Sequence, residues 1–243
     1  MILLGAMSRE VDGVRKQLGL SRAVDRGGWR TFEGRYEEKE LALVETGPGR
    51  LKAEAAALFA VMRYPVTSVI SFGFAGGLTD ETKAGDVVLC RTLYDGAVRG
   101  AGSPHSSDEG LIALASEVPL GDSGHLALGS SVTVEGVVTE PQHKRALGKT
   151  FGADVVDMEG YWVADAVAGV PFLAVRAISD PVAQRLPPFD RWIDARESWQ
   201  IGPAAIHLLT HPLDLATLPA LYANVRRAER SLVQLIAGVI PRL

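Results

Sequence analysis

Three carboxylates and two glycine-rich segments carry the chemical promise of this chain. Glu10 stands in GAMSREV (Gly5–Val11), Glu159 in VVDMEG (Val155–Gly160) and Asp180 in VRAISDP (Val175–Pro181). The glycine-rich segments are TGPGR at Thr46–Arg50 and SFGFAGGL at Ser71–Leu78. Each follows a short apolar run, at the kind of strand-to-helix junction where ligands collect in layered α/β folds. Taken singly, each has a structural explanation. Glu10 and Glu159 fall in first helical turns, where the dipole favours a carboxylate. Asp180 before Pro181 reads as an N-cap followed by a first-turn proline. Gly73, Gly76 and Gly77 read as a tight turn. Together, three carboxylates at the mouths of three strands suit cleavage of a glycosidic bond. One would activate a water, and another, kept protonated by burial, would assist the leaving group. Spacing alone does not name that group.

Other residues offer competing chemistry. The Gly49 amide and Arg50, with Arg9 as a second cation, could bind phosphate. Glu10 beside such a site would repel a phosphate dianion, which favours water as the nucleophile. His207 and His211 have the i, i+4 spacing of metal ligands, but no Glu intervenes and Pro212 follows directly, so no metal site is expected. Ser130 and Ser131 lack the G-x-S-x-G turn of a serine hydrolase. GFAGGL does not match G-x-G-x-x-G, and no cofactor is expected. A non-catalytic binding module on the same fold is a further reading, although binding alone does not require Glu10.

The elements that must position these residues alternate along the chain. Strand-like runs lie at Ile2–Ala6, Thr31–Tyr36, Leu41–Thr46, Val66–Phe72, Asp86–Arg91 and Phe172–Ile178. Helical patterns cover Arg9–Leu18, Leu51–Arg63, Glu140–Lys149 and Glu159–Ala168. This order predicts a central, largely parallel sheet with helices on both faces. Val98–Glu109 and Pro181–Pro188 read as loops, and from about Phe189 the pattern is helical only. There, Leu218, Leu221, Val225, Ala228, Leu232, Leu235, Ile236 and Val239 recur at helical steps, opposite Arg226, Arg227, Glu229 and Arg230. Such a stripe is expected to pack on the domain, and it could instead dock on a second subunit or a membrane surface.

Composition sets the outer limits. The chain has 243 residues, 47% of them hydrophobic and 22% charged, which excludes a disordered chain. A single cysteine, Cys90, excludes a disulfide scaffold. A net charge of −4 with scattered Lys and Arg argues against nucleic acid as the partner. Met1–Met7 lacks the basic lead of a signal peptide, and no apolar run reaches the ~18 residues of a spanning helix. A cytoplasmic enzyme is expected.

These five segments, in this order, resemble the nucleoside phosphorylase/nucleosidase family, particularly its methylthioadenosine/adenosylhomocysteine nucleosidase branch. The resemblance runs from Met1 to about Val182 and rests on GAM-x-x-E-V, AGGL followed by GDVV, D-M-E and R-A-I-S-D. It implies a three-layer α/β/α fold with a mixed central sheet, one domain over residues 1–243, and a helical C-terminal extension. It also implies a purine nucleoside as the small-molecule partner and a homo-oligomer. Glu10 falls on the carboxylate that deprotonates the attacking water, and Asp180 on the aspartate that serves purine N7, with Ser179 orienting it. Glu159 falls on the residue holding the ribose hydroxyls, over an apolar floor at Met158. Val137 and Val138 fall on the segment that brackets the base. Phe74, two residues before Gly76 in the glycine-rich segment, replaces a small hydroxyl residue, and a phenyl ring cannot hydrogen-bond phosphate.

Two departures bear on the substrate. The family's aromatic 5′ segment is replaced by the shorter Tyr94–Ser107 stretch, and Val137 stands where an aromatic usually stacks on the base. The segment PPFDRW at Pro187–Trp192 resembles the hopanoid-associated nucleosidases, which release adenine from a nucleoside bearing a polycyclic lipid. Leu186, Phe189, Trp192, Ile193 and Trp199 would supply an apolar wall for such a 5′ group. A lipid-bearing substrate implies an enzyme peripheral to the inner membrane face.

Overall fold

The alternating apolar runs build a ten-stranded mixed sheet in a computed structural model that describes residues 1–96, 102–121, 124–187 and 212–243. The strands are β1 (Ile2–Gly5), β2 (Arg22–Arg26), β3 (Trp29–Tyr36), β4 (Lys39–Glu45) and β5 (Val69–Gly77), followed by β6 (Val87–Asp95), β7 (His105–Ser106), β8 (Leu126–Thr133), β9 (Val155–Asp157) and β10 (Phe172–Asp180). The α-helices among the described residues are α1 (Ser8–Gln17), α2 (Arg50–Arg63), α3 (Glu109–Ser116), α4 (Pro141–Phe151), α5 (Gly160–Ala166) and α6 (Pro212–Val239).

Strands β4, β1, β5 and β10 run parallel, so their C-terminal ends lie along one edge of the sheet. Beyond them the sheet is less parallel than the alternation predicts. Strand β6 runs antiparallel to β10, β9 antiparallel to β5, and β2–β3–β4 form an antiparallel meander. Because β5 pairs with both β10 and β9, the strands β5, β10, β6, β8 and β9 close into a ring. Strands β2, β8 and β9 and helix α3 are absent from the sequence reading, and β7 falls within the stretch read there as a loop. In β8, Ala127, Gly129, Ser130 and Ser131 dilute the apolar signal, and β9 is only three residues long.

Alternate residues of the inner strands serve opposite faces. Leu3, Leu43, Ile70 and Leu173 pack with α1, α3 and α6 on one side. Ile2, Leu4, Val44, Val69 and Ala174 pack with α2 and α5 on the other. Ala53, Ala56, Ala57 and Ala60 give α2 a flat buried face, which lets its backbone lie close to the strands. The C-terminal half of the α6 stripe (Ala228, Leu232, Leu235, Ile236 and Val239) is buried in the first core, as packing predicts. Each fully buried leucine or isoleucine there contributes about 1.5–3 kcal/mol. None of the helices among the described residues is long and apolar enough to cross a membrane.

Two local readings are corrected. Gly73, Gly76 and Gly77 do not turn the chain; they continue β5 to its end. Space explains them, because a Cβ on Gly73 would stand 3.0 Å from a Glu10 carboxylate oxygen, and one on Gly76 would stand 3.0 Å from Asp180 Oδ2. Asp180 caps no helix: it ends β10, and a turn follows within Pro181–Pro187.

Candidate active site

Each candidate carboxylate reaches the sheet edge by a different route. Glu10 is in the first turn of α1, immediately after β1, and its side chain turns back under the turn that leads into the helix. Its Oε2 accepts hydrogen bonds from the Ala6 and Met7 amides at 3.0 and 2.9 Å, and its Oε1 accepts one from Phe74 at 2.8 Å. Glu159 follows β9 as the N-cap of α5 and accepts from the Gly49 amide at 2.8 Å. Asp180 ends β10, with Ser179 Oγ 2.6 Å from its Oδ1.

The three carboxylates open into one cavity of about 610 Å³. Met158, Phe74, Gly76, Val137, Val138 and Ser179 line it as well, together with Arg9. Val138 is buried, whereas Val137 is 40% exposed at the rim. The far wall is apolar: Leu186 comes from the turn after β10, and Leu218, Leu221, Tyr222 and Val225 come from α6. The α6 stripe therefore divides, its C-terminal half filling the core and its N-terminal half facing the cavity. Of the apolar residues expected after Asp180, Leu186 lies in the wall, while Phe189, Trp192, Ile193 and Trp199 lie outside the described residues, as do His207 and His211.

Gly49 and Arg50 are not brought to the cavity wall. The Gly49 amide is taken by Glu159, and Arg50 pairs with Glu54 at 2.9 Å while its guanidinium stacks 4.1 Å from the Trp162 ring centroid. Arg9 does reach the wall, where it pairs with Glu229 at 3.2 Å and lies over Tyr222.

Burial governs the electrostatics. It raises the proton affinity of Glu10, against three amide hydrogen bonds and the field of Arg176. It lifts Glu159 to about 8, with help from the neighbouring Asp157 charge and against the Gly49 amide. Asp180 is raised by burial too, with Lys144 and Ser179 pulling the other way. A carboxyl raised in this way holds its proton more readily than a free one and can release it to a leaving group.

Three structural partners were not assigned roles from the sequence. Asp157 accepts from Arg176, from Thr133 Oγ1 and from the Gly160 amide. Arg176 also donates to the Ser71 carbonyl and hydroxyl at 3.1 Å, which ties β10, β5 and β9 together behind the cavity. A lone arginine in an otherwise apolar strand was the available signal, because a buried charge requires a partner. Lys144 on α4 is fully buried against Asp180. No spacing in PQHKRALGKTF marks it apart from Arg145 or Lys149.

Comparison with known proteins places this geometry in a family. The sequence model of the phosphorylase superfamily matches residues 1–202. A 5′-methylthioadenosine/S-adenosylhomocysteine nucleosidase of Bacillus pumilus is 30% identical over 194 residues, covering 73% of this chain and 84% of that one. The enzyme of that name from Marinomonas is 29% identical, covering 76% and 87%. Among solved structures, futalosine hydrolase of Helicobacter pylori superposes with a TM-score of 0.78 at 21% identity, over 100% of this chain and 97% of the other. The Neisseria meningitidis nucleosidase in complex with methylthio-immucillin-A gives 0.77 at 21% identity, over 100% and 98%. At that identity the structural likeness speaks for the fold, and the family model and the Bacillus relative speak for descent: the chain belongs to the phosphorylase superfamily.

Proposed function

We propose that this protein is a purine nucleosidase that hydrolyses the N-glycosidic bond of an adenine nucleoside carrying a bulky hydrophobic 5′ substituent. Glu10 takes a proton from the water that attacks C1′, Glu159 holds the ribose hydroxyls above Met158, and Asp180 delivers a proton to purine N7. Phe74, Gly76, Val137 and Val138 enclose the sugar and base. The single observation that carries this reading is the meeting of Glu10, Glu159 and Asp180 in one cavity with a largely apolar far wall. The curated relatives, named as nucleosidases, support hydrolysis. Phosphorolysis has less support, because Gly49 and Arg50 are engaged elsewhere and Glu10 would repel a phosphate dianion.

The 5′ preference rests on Leu186, Leu218, Leu221 and Val225, four apolar side chains that line one side of the cavity beside Tyr222 and Arg9. Each methylene buried there is worth about 0.8 kcal/mol, or about fourfold in binding. An adenosyl-lipid of the hopanoid type meets this description, and such a substrate would be taken from a membrane surface. The test is adenine release from adenosine, methylthioadenosine and a long 5′-alkyl adenosine, each with and without phosphate. The expected result is phosphate-independent release of free ribosyl product, with kcat/KM highest for the long alkyl compound. Release that requires phosphate would make the enzyme a phosphorylase, and no release from any compound would leave a binding module. Equal cleavage of short and long substrates would defeat the 5′ preference alone.

A homo-oligomer is part of the same reading. Leu51, Ala55, Leu58 and Met62 form one exposed stripe on α2, and Leu51 and Met62 are 79% and 86% exposed. Burying this stripe against its own copy removes an apolar surface from water. Sedimentation should give a dimer or larger, and Leu58→Glu should dissociate it. A monomeric wild type at micromolar concentration overturns the assignment.

A further inference from the structure

Lys144 is the feature that the proposed reaction leaves unused. Its side chain has 0% exposure, and its Nζ donates to Asp180 Oδ2 at 2.5 Å, to the Gln184 carbonyl at 3.0 Å and to the Pro181 carbonyl at 3.3 Å. The three N–H donors of the ammonium thus meet three acceptors in a place closed to water. A lysine is almost never buried so fully without a charged partner. Here that partner is a residue at the cavity wall.

The two oxygens of Asp180 are treated differently. Oδ2 is committed to Lys144, over the space that Gly76 leaves by lacking a Cβ. Oδ1 faces Ser179 Oγ at 2.6 Å, and the same hydroxyl has a second acceptor, the Ala75 carbonyl, at 3.3 Å. A serine hydroxyl has one proton to donate. It can point at Oδ1 when the carboxylate is bare, and at Ala75 when Oδ1 carries a proton. The pair is therefore built to accept either protonation state of Oδ1 without disturbing Oδ2.

We propose that Lys144 is a positioning residue for proton delivery, fixing Asp180 so that Oδ1 alone serves the leaving base and pairing with the carboxylate as it forms. This rests on the reading of Asp180 given above. As the C1′–N9 bond breaks, its electron pair passes into the purine and the Oδ1 proton moves to N7. The negative charge left on Asp180 is met by the Lys144 ammonium through Oδ2. Other charged groups on the packed elements are turned elsewhere. On α4, Arg145 pairs outward with Asp80; at its N-cap, Glu140 pairs with Arg185. Glu10 and Glu159 share the cavity but hydrogen-bond to backbone amides. Among the described residues Lys144 is the cation in contact with Asp180.

The experiment compares wild type with Lys144→Met, which keeps the stem and removes the charge. The Asp180 carboxyl is followed by carbon NMR of 13C-aspartate-labelled protein, its signal identified by loss in Asp180→Asn. An ammonium at this distance lowers a carboxyl's titration midpoint by roughly one to three pH units. Its removal should therefore raise the midpoint by that amount and slow base release by about tenfold or more at pH 7. Lys144→Gln, neutral but still a donor, should show the same rise and serves if the methionine variant does not fold. Unchanged midpoint and unchanged rate, in a wild type that does release adenine, overturn the inference alone. A wild type that releases no base overturns the nucleosidase reading instead, while the midpoint still reports on the pair.

Discussion

Glu10→Gln is expected to lower kcat for base release by about 10²–10⁴-fold, the usual cost of losing a general base, with KM nearly unchanged. The split follows from what Glu10 would touch. In the proposed reaction it contacts the attacking water and not the nucleoside, so binding of the substrate does not depend on it. Glutamine fills the same volume beside Gly73 but cannot take up a proton. The wild-type pH profile carries a second signature. Glu10 must be ionised to act, and burial holds its proton affinity above the ordinary carboxylate range. Activity should therefore be lost as pH falls through a midpoint higher than that of a free glutamate, and this acid limb should vanish in the variant. Steady-state kinetics across pH 4–9 read both effects (roughly the window over which carboxyls raised by burial titrate). Near wild-type turnover in Glu10→Gln would remove Glu10 from the mechanism. A folded variant is verified by its melting curve, since the glutamine amide must face one of the three backbone N–H groups that now bond the carboxylate.

The second large effect separates chemistry from stability at Asp180. Asp180→Asn should depress the chemical step by about 10²–10⁴-fold, because an amide cannot supply the proton that the departing purine needs. The same change strands the Lys144 ammonium in a site closed to water. Breaking a buried pair from one side costs about 3–5 kcal/mol, so Tm should fall clearly. Replacing both partners removes the stranded charge, and Lys144→Met/Asp180→Asn should recover much of the lost Tm. It should recover none of the turnover. If the double variant regains both, loss of activity in the single variant was a folding effect and Asp180 is not the acid. If Asp180→Asn retains near wild-type turnover, the base is not protonated from this residue.

Elements and candidate residues were legible to very different degrees, for identifiable reasons. Apolar runs at Ile2–Ala6, Leu41–Thr46 and Phe172–Ile178 are each long enough to specify a strand locally, and all three are strands in the structure. A strand buried on both faces reads as a continuous apolar run, and that signal is visible in one dimension. The short β9 and the serine-diluted β8 carry too little of that signal, and they exist because β5, β6 and β10 offer partners for their backbone. The antiparallel direction of β6 is likewise a property of the closed ring and not of its residues.

Within the site, Glu10, Glu159 and Asp180 were legible because each sits beside a strand end in a recognisable local pattern. Glu10 and Asp180 meet because β1 and β10 run in a common direction on either side of β5, whereas Glu159 arrives from β9, which runs antiparallel to β5 and pairs with its C-terminal end. The glycines of SFGFAGGL show the limit of local reading. Glycine allows a left-handed turn and also makes room for a neighbour, and the sequence alone does not distinguish the two. Gly73 and Gly76 prove to be space for the carboxylates of Glu10 and Asp180. Arg176 announced itself as a charge in an apolar strand, whereas its partner Asp157 could be found only once β9 was seated. Lys144 announced nothing. A lysine on a polar helix looks solvated until the fold sets it against a residue 36 positions away. The α6 stripe was readable as apolar, but its division between core and cavity was decided by tertiary packing. A helix carries its own periodicity, while the depth of the surface it meets is set by other parts of the chain.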